Sequence, residues 1–336
     1  MRNETRKLYN ALLQQIASIN GVEDAAVKFS VAPSVQQRLE TRMQESSDFL
    51  KRINILGVTE QKGQKLGLGI GSPIASTTNT ASQDRQPIDP TTLDETGYEC
   101  TQTNSDTYIP YAKLDAWAKF PDFQIRVRDA IVRRQALDRI MIGFNGVSRA
   151  ATSDRGANPL LQDVNKGWLQ HYREQAPERV LKDGATAGVI KVGGTGADYA
   201  NLDALVMDAV SSLIDPWYRQ DTQLVAILGA NLLHDKYFPL VNVNQPPSEQ
   251  LAADLVISQK RVGGRTAVAV PFVPDDAILV TRLDNLSIYY QEGARRRAVI
   301  DNPKRDRIEN YESSNDAYVV EDFGAGCLIE NIQIQA

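Results

Sequence analysis

The chain has 336 residues, enough for two or three domains by length, with 42% hydrophobic and 24% charged residues. A formal net charge of −5, with no basic tail or Lys-rich block, argues against sequence-independent nucleic-acid binding as the main task. No apolar run reaches the roughly 18 residues of a membrane span, the start MRNETRKLYN has no signal-peptide core, and Cys100 and Cys327 read as free thiols of a reducing cytoplasm.

Leu8, Leu12, Ile16 and Ile19 share one stripe at helical spacing and predict a helix over Asn3–Ile19, with Asn3 as N-cap and Gly21 as its stop. A loose connection runs from Gly21 to Pro33. Val35, Leu39 and Met43 mark a second helix from Pro33, and Phe49, Leu50, Ile53 and Ile55 then suggest an arm lying along another surface. The stretch from Gly57 to Asn104 is rich in Gly, Ser, Thr and Asn. Strand character is confined to its flanks, Ile53–Val58 and Tyr98–Tyr111, and to the alternation of Leu66, Leu68 and Ile70 with glycines. A structureless loop of that length is improbable in a compact domain. A two-stranded arm packed on a neighbour fits better, because an isolated hairpin is marginal in water.

Asp122–Gly146 reads as one long helix of roughly 36 Å at about 1.5 Å per residue. Phe123, Val127, Ala130, Ile131, Leu137, Ile140, Met141 and Phe144 hold one face. Arg126, Arg133, Arg134, Asp138 and Arg139 fall mostly off it, in solvent, against acidic neighbours or toward DNA. Further helices are expected over Leu161–Arg173, Asn201–Tyr218 and Asn231–Tyr237, and strands at Gly184–Gly196 and Leu224–Leu228. From Leu255 onward the pattern turns to strands: LVIS, TAVAVPFV, AILVT, LSIYY, RRAVI, and two more around Gly324 and Gly326. The order gives an α+β layout.

No constellation of reactive groups stands out. His171 and His234 each sit in a helical pattern beside aromatics, as structural residues, and there is no HExxH or CxxC. GLGIGS lacks the spacing, following helix and lysine of a phosphate loop. The turn at Gly193 precedes a helix and reads as a plain turn with a capped helix. The pairs Asp275-Asp276 and Glu321-Asp322 have no mark of general acid–base work. No enzyme, cofactor or metal is expected.

The strings QESSDFLKRINI (Gln44–Ile55), DRQP (Asp84–Pro87), YEC (Tyr98–Cys100), GFNGV (Gly143–Val147), NPLLQDVNKGWLQHYREQAPERV (Asn158–Val180), YANLDALVMDA (Tyr199–Ala209), DKYFP (Asp235–Pro239), LAADLVISQKR (Leu251–Arg261), LDNLSIYY (Leu283–Tyr290) and RIENYESSNDAYVVEDFGAGCL (Arg307–Leu328) closely resemble the major capsid proteins of peduovirus-type (P-two-like) tailed phages. The resemblance runs along nearly the whole chain. It implies the tailed-phage capsid fold of the Hong Kong ninety-seven type, an α+β fold with a long spine helix, an E-loop hairpin, and peripheral and axial domains. On this chain it implies a scaffold-like N-terminal segment at 1–29, an N-arm at 30–55, an E-loop at 56–110, a peripheral domain with the spine at 111–197, an axial domain at 198–306, and return strands to the peripheral domain at 307–336.

The same resemblance implies assembly into pentamers and hexamers of an icosahedral head shell around double-stranded DNA. Its implied partners are an internal scaffold and maturation protease and a portal protein, with the DNA held non-specifically and no membrane. It places the chain in the virion, and in the host cytoplasm during assembly. It also implies removal of the N-terminal segment near Lys28, with Phe29 and Ser30 at the junction. Some relatives crosslink a lysine to an asparagine, but no such pair is identified here. A closed shell repeats one interface many times, so weak contacts suffice, and a negative subunit does not hold DNA to the wall. The alternative is a tail-tube or sheath-like structural protein, which would give open helical polymers.

Overall fold

In the computed structural model the described residues are 1–65, 75–87, 97–117, 120, 123–241 and 260–335, with no side-chain description at 235 or 237–241. In chain order the elements are α1 (Asn3–Asn20), β1 (Phe29–Ser30), α2 (Pro33–Glu45), β2 (Asn54–Val58), β3 (Lys62–Gln64), β4 (Gly97–Glu99), β5 (Thr101–Asn104), β6 (Thr107–Pro110), α3 (Tyr111–Trp117) and α4 (Phe123–Asn145). There follow α5 (Trp168–Gln175), β7 (Val180–Leu181), β8 (Ile190–Val192), α6 (Leu202–Leu213), β9 (Val225–Leu228), α7 (Ala230–Val241), β10 (Arg261–Val262), β11 (Arg265–Ala269), β12 (Ile278–Thr281), β13 (Leu286–Gln291), β14 (Arg296–Asn302), β15 (Arg307–Val320), β16 (Gly326–Ile329) and β17 (Ile332–Ile334). The α+β class expected from the pattern is what forms.

Two sheets organise these elements. In the first, β13 and β14 both run antiparallel to β15, Leu286 opposite Val320 and Arg296 opposite Ser313. They are halves of one strand, and the register shifts by three residues across the bulge between them, which bends the strand and re-aims its side chains. On their outer side β2 pairs parallel with β13 and β1 antiparallel with β14. Beyond β15 lie β5 and β6. The second sheet has the order β10-β11-β9-β12-β16-β7, and a small parallel pair joins β17 to β8. The segment 198–306 therefore contributes to both sheets, as does 307–336.

One apolar core lies between the sheets. It holds Phe49, Leu50 and Ile53, Ala136, Ile140 and Phe144 of α4, Trp168 and Tyr172 of α5, and Ile227, Leu279, Ile288, Tyr318 and Leu328 from strands of both sheets. Phe49, Leu50 and Ile53 are thus inside their own subunit's core and do not lie along another surface, while Lys51 and Arg52 between them are exposed. Trp168, fully buried, packs its ring against Phe49, Phe144 and Tyr318 at 5.3–6.0 Å and donates Nε1–H to Ser287 O at 3.0 Å. Gly143 permits this approach, since a Cβ there would lie 2.2 Å from Trp168 Cζ3. A second core packs α6, through Leu205, Val206 and Ala209, onto the far face of the second sheet. A third fastens α1 and β1 to β14, β15 and α3.

Several local expectations are corrected. The cap of α1 is Arg2, in extended backbone with no side-chain cap, and Asn3 is the first helical residue; the Arg2 amide is instead fastened to Asp115 Oδ1 at 2.9 Å. Gly21 ends the helix in the left-handed conformation, as expected. The buried positions of α1 are Thr5, Ile16 and Ala17, while Leu8 and Ile19 are exposed. The helix expected over Leu161–Arg173 starts only at Trp168. Leu161 has a positive φ, and Asp163 and Asn165 bond to the backbone amides of Asp154 and Lys166, which competes with helix formation. The two-stranded stem of the 56–110 excursion forms as β3 against β4, Lys62 opposite Glu99. The alternating Leu66, Leu68 and Ile70, the GLGIGS string and the LVIS strand lie outside the described residues.

Candidate assembly site

The long helix α4 spans Phe123–Asn145, and its two halves differ. From Gln124 to Asp129 only Val127 is half-buried and the rest is exposed, whereas from Gln135 to Phe144 nearly every position is buried or half-buried. A helix buried all round cannot keep its polar residues on a solvent face, so Gln135 and Arg139 need internal partners. They find them in a closed chain of charges. Arg139 is bidentate to Asp316, at 3.2 and 3.1 Å, and also grips Glu40 of α2 with both terminal nitrogens. Glu40 accepts in addition from Arg295 Nη1 at 3.1 Å. Arg295 continues to Glu312, its Nε at 2.8 Å, and to Gln135 Oε1 at 3.1 Å, and Gln135 Nε2 returns to Glu312.

All six side chains belong to buried residues. The Asp316 and Glu40 carboxylates raise the Arg139 guanidinium despite its burial, and the Arg295 and Arg297 cations hold Glu312 below the usual carboxylate value. The network ties α2, α4, the strand bulge and β15 into one body. Arg139 was expected off the apolar face. Its burial was legible only in the stripes it belongs to: Gln135 and Arg139 are four apart on α4, and Gln36, Glu40 and Met43 form the buried stripe of α2. The exposed arginines 126, 133 and 134 do lie off the core, with Arg134 paired to Asp138 at 2.6 Å.

A second anchor holds the root of the 56–110 excursion. Lys65 is buried, lies 5.4 Å over the Phe323 ring, and donates to the carbonyls of Val320 and, at 3.1 Å, Glu321. The stem is further fixed by the Cys100 amide on Gln61 O at 2.8 Å and by the edge-on rings of Tyr98 and Tyr289. Between β5, β6 and the exposed half of α4 runs a groove of about 1120 Å³, walled by Tyr108, Trp117, Val127, Ile131, Arg134 and Leu161 among others. Of its walls, Tyr108 is 60% and Trp117 49% exposed, and Phe120 and Ile125, nearby in sequence, are 53% and 52% exposed. Exposed large apolar side chains of this kind are characteristic of interaction surfaces.

Phe29 and Ser30 form β1, opposite Arg297 and Arg296. Phe29 is buried in the third core, and Ser30 is exposed, its hydroxyl donating to Gly293 O at 2.8 Å. The segment before them is docked by Ile16, Ala17 and Ala25, by Arg6 on Asp301 at 3.0 Å, and by Val299 N on Ala25 O at 3.0 Å.

The remaining polar features are structural where the chain is described. His171 is half-buried, burial pushes its imidazole down to about 4, and its Nδ1 lies 3.2 Å from Gln175. His234 is exposed on α7. Asp198 accepts from Ala185 and Lys191 amides and Asn201 caps α6 through the Ala204 amide, so the Gly193 region is a turn and a capped helix. Glu321 accepts the hydroxyls of Ser287 and Tyr289, and Asp322 that of Tyr218. Among the described residues no group of three or more acidic, His or Cys side chains could hold a metal, and no helix is long and apolar enough to cross a membrane.

Comparison with known proteins adds the relatives of this arrangement. Residues 8–332 match the model of the phage major capsid protein, P2 family. The chain is 56% identical to the capsid protein of Escherichia phage P2, over 99% of this chain and 96% of that protein. It is 42% identical to the major capsid protein of Serratia phage KSP20, over 99% and 97%. Among solved structures, a chain of the satellite phage P4 procapsid that includes the size determination (Sid) protein superposes with a TM-score of 0.83 at 54% identity, covering 100% of this chain and 99% of that one. The capsid fold implied by the strings quoted above is therefore the fold observed, and the chain belongs to the P2 family of phage major capsid proteins.

Proposed function

We propose that this chain builds an icosahedral phage head shell around double-stranded DNA, as pentamers and hexamers of itself assembled in the host cytoplasm. The observation that carries the reading is the likeness to a procapsid subunit over the entire chain, at 54% identity and a TM-score of 0.83. The exposed apolar groove and the pinned two-stranded stem at β3 and β4 support it, because both suit a subunit completed by its neighbours. An internal scaffold and maturation protease act on the assembling shell, and a portal protein occupies one vertex. The formal charge of −5 suits a wall that encloses packaged DNA without binding it tightly.

Within the subunit, 1–29 is the removable segment, with Phe29 and Ser30 at the junction. Residues 30–55 are the N-arm, 56–110 the E-loop, 111–197 the peripheral domain with α4, 198–306 the axial domain, and 307–336 the returning strands. Across the last two divisions β13 and β14 pair with β15, and β16 lies in the sheet of β9 and β12. Negative-stain electron microscopy of the chain expressed alone, and with its scaffold and protease, tests the proposal. Closed shells whose subunit mass drops by the N-terminal segment when protease is present support it. A stable small oligomer under every condition overturns it.

A further inference from the structure

The bulge between β13 and β14 is held from three sides. On the first, the Val31 amide donates to Arg295 O at 2.9 Å, and Ser30 Oγ bridges Gly293 O at 2.8 Å and Arg296 Nη1 at 2.7 Å. On the second, Gln36 of α2 accepts from the Gly293 amide at 3.0 Å and donates to Gln291 O at 3.1 Å. On the third, the Arg295 side chain runs inward to Glu40, Glu312 and Gln135. Gly293 carries the positive φ of 71° that the turn requires.

One residue thus receives Val31, just past the N-terminal segment, on its backbone and holds the long helix with its side chain. We infer that Arg295 couples the docking of residues 1–31 to the anchored half of α4, so that undocking β1 loosens the Glu40–Arg139–Arg295 network and the helix that it holds. The coupling is a property of the intact chain. Its role as a report of segment removal rests on the reading of 1–29 as removable.

The mechanism is geometric. Phe29 anchors β1 in the third core; without that anchor the bulge loses its outer partner and is left to Gln36, to the Glu292 amide on Val58 O at 2.9 Å and to the Arg295 side chain itself. The guanidinium of Arg295, placed by a backbone free to shift, then no longer meets three acceptors at once. Residues joined by one network show non-additive responses, whereas independent sites add.

Hydrogen–deuterium exchange of the full-length chain, held in one assembly state, tests this with Phe29→Ala, Arg295→Met and the double variant. Phe29→Ala is expected to speed exchange at least about tenfold in peptides of 132–142 as well as in 22–31, with α6 unchanged. The double variant is expected to exchange at 132–142 no faster than Arg295→Met alone. Faster exchange confined to 1–31 and 296–300, or additive effects in the double variant, overturns the coupling. If Phe29→Ala loosens α6 too, the chain has unfolded as a whole, and Ser30→Pro, judged by the same criteria, replaces it. The cleavage reading fails separately, if intact-mass analysis after protease treatment finds no loss of the segment while the coupling persists.

Discussion

Replacing Arg139 by Met removes the charge but keeps a long apolar side chain, so the substitution isolates the network from simple cavity formation. Arg139 is 5% exposed and serves two carboxylates. After the change Glu40 retains Arg295 at 3.1 Å and, among the described residues, the Asp316 carboxylate retains only the Ser314 hydroxyl at 3.2 Å. Breaking a buried pair and leaving its partner charge uncompensated costs about 3–5 kcal/mol. For a chain of this size each kcal/mol moves the melting midpoint by roughly 2 °C, so the first thermal transition should fall by about 6–10 °C. Arg134→Ala is the control. Its pair with Asp138 spans one helical turn with the arginine side chain 58% exposed, and such pairs contribute about 0.5 kcal/mol or less. Scanning calorimetry or circular dichroism of the two variants side by side gives the answer. Adding Asp316→Asn to Arg139→Met should recover part of the loss, because the orphaned charge is then gone. Equal midpoints for Arg139→Met and Arg134→Ala would refute the view that this network holds the helix.

Stability should decline with acid in two windows. The folded pKa of His171 lies near 4 against an ordinary 6.5, so its neutral form stabilises fully above 6.5 and that contribution is lost as pH falls toward 4. Glu312 is held below its ordinary 4.5, so its contribution is present above 4.5 and is lost as pH falls through the lowered folded value. Urea titrations of His171→Gln and Glu312→Gln should each flatten their own window, and a parallel loss in both variants and the parent would count against the assignment. Gly143→Ala would place a Cβ 2.2 Å from Trp168 Cζ3, an overpacking that costs about 1–3 kcal/mol or more; an unchanged denaturant midpoint would contradict the core geometry. Cys100 and Cys327 are fully buried with thiols pushed up to about 12, so a thiol reagent should leave both untouched in the native chain and modify both in urea.

The fold was legible where apolar period and burial coincide. The stripe of Leu202, Leu205, Val206, Ala209 and Val210 is the buried face of α6, and the apolar run at Val225–Leu228 is a fully buried strand. It was illegible where polar residues are buried by pairing. The first ten residues of β15, RIENYESSND, alternate too weakly to announce a strand, yet they form the middle of the first sheet because Arg295 and Arg139 satisfy Glu312 and Asp316. Arg139 failed for the same reason: a charge on a helix reads as solvated until its partners, 99 and 177 residues away, are in place. The family resemblance rested on long strings and did not depend on these local readings. The junction at Phe29 and Ser30 was placed by resemblance alone, and its pairing with Arg297 and Arg296 has no signature in a two-residue strand.

The most direct test of the assembly account is a cryo-electron-microscopy reconstruction, at side-chain detail, of the particles that this chain forms with its scaffold. The account predicts closed icosahedral shells whose every subunit keeps Arg139 between Glu40 and Asp316 and has its groove at Tyr108, Trp117 and Ile131 covered by a neighbouring copy. Open helical tubes, or closed shells in which that groove faces solvent in all subunits, would contradict it.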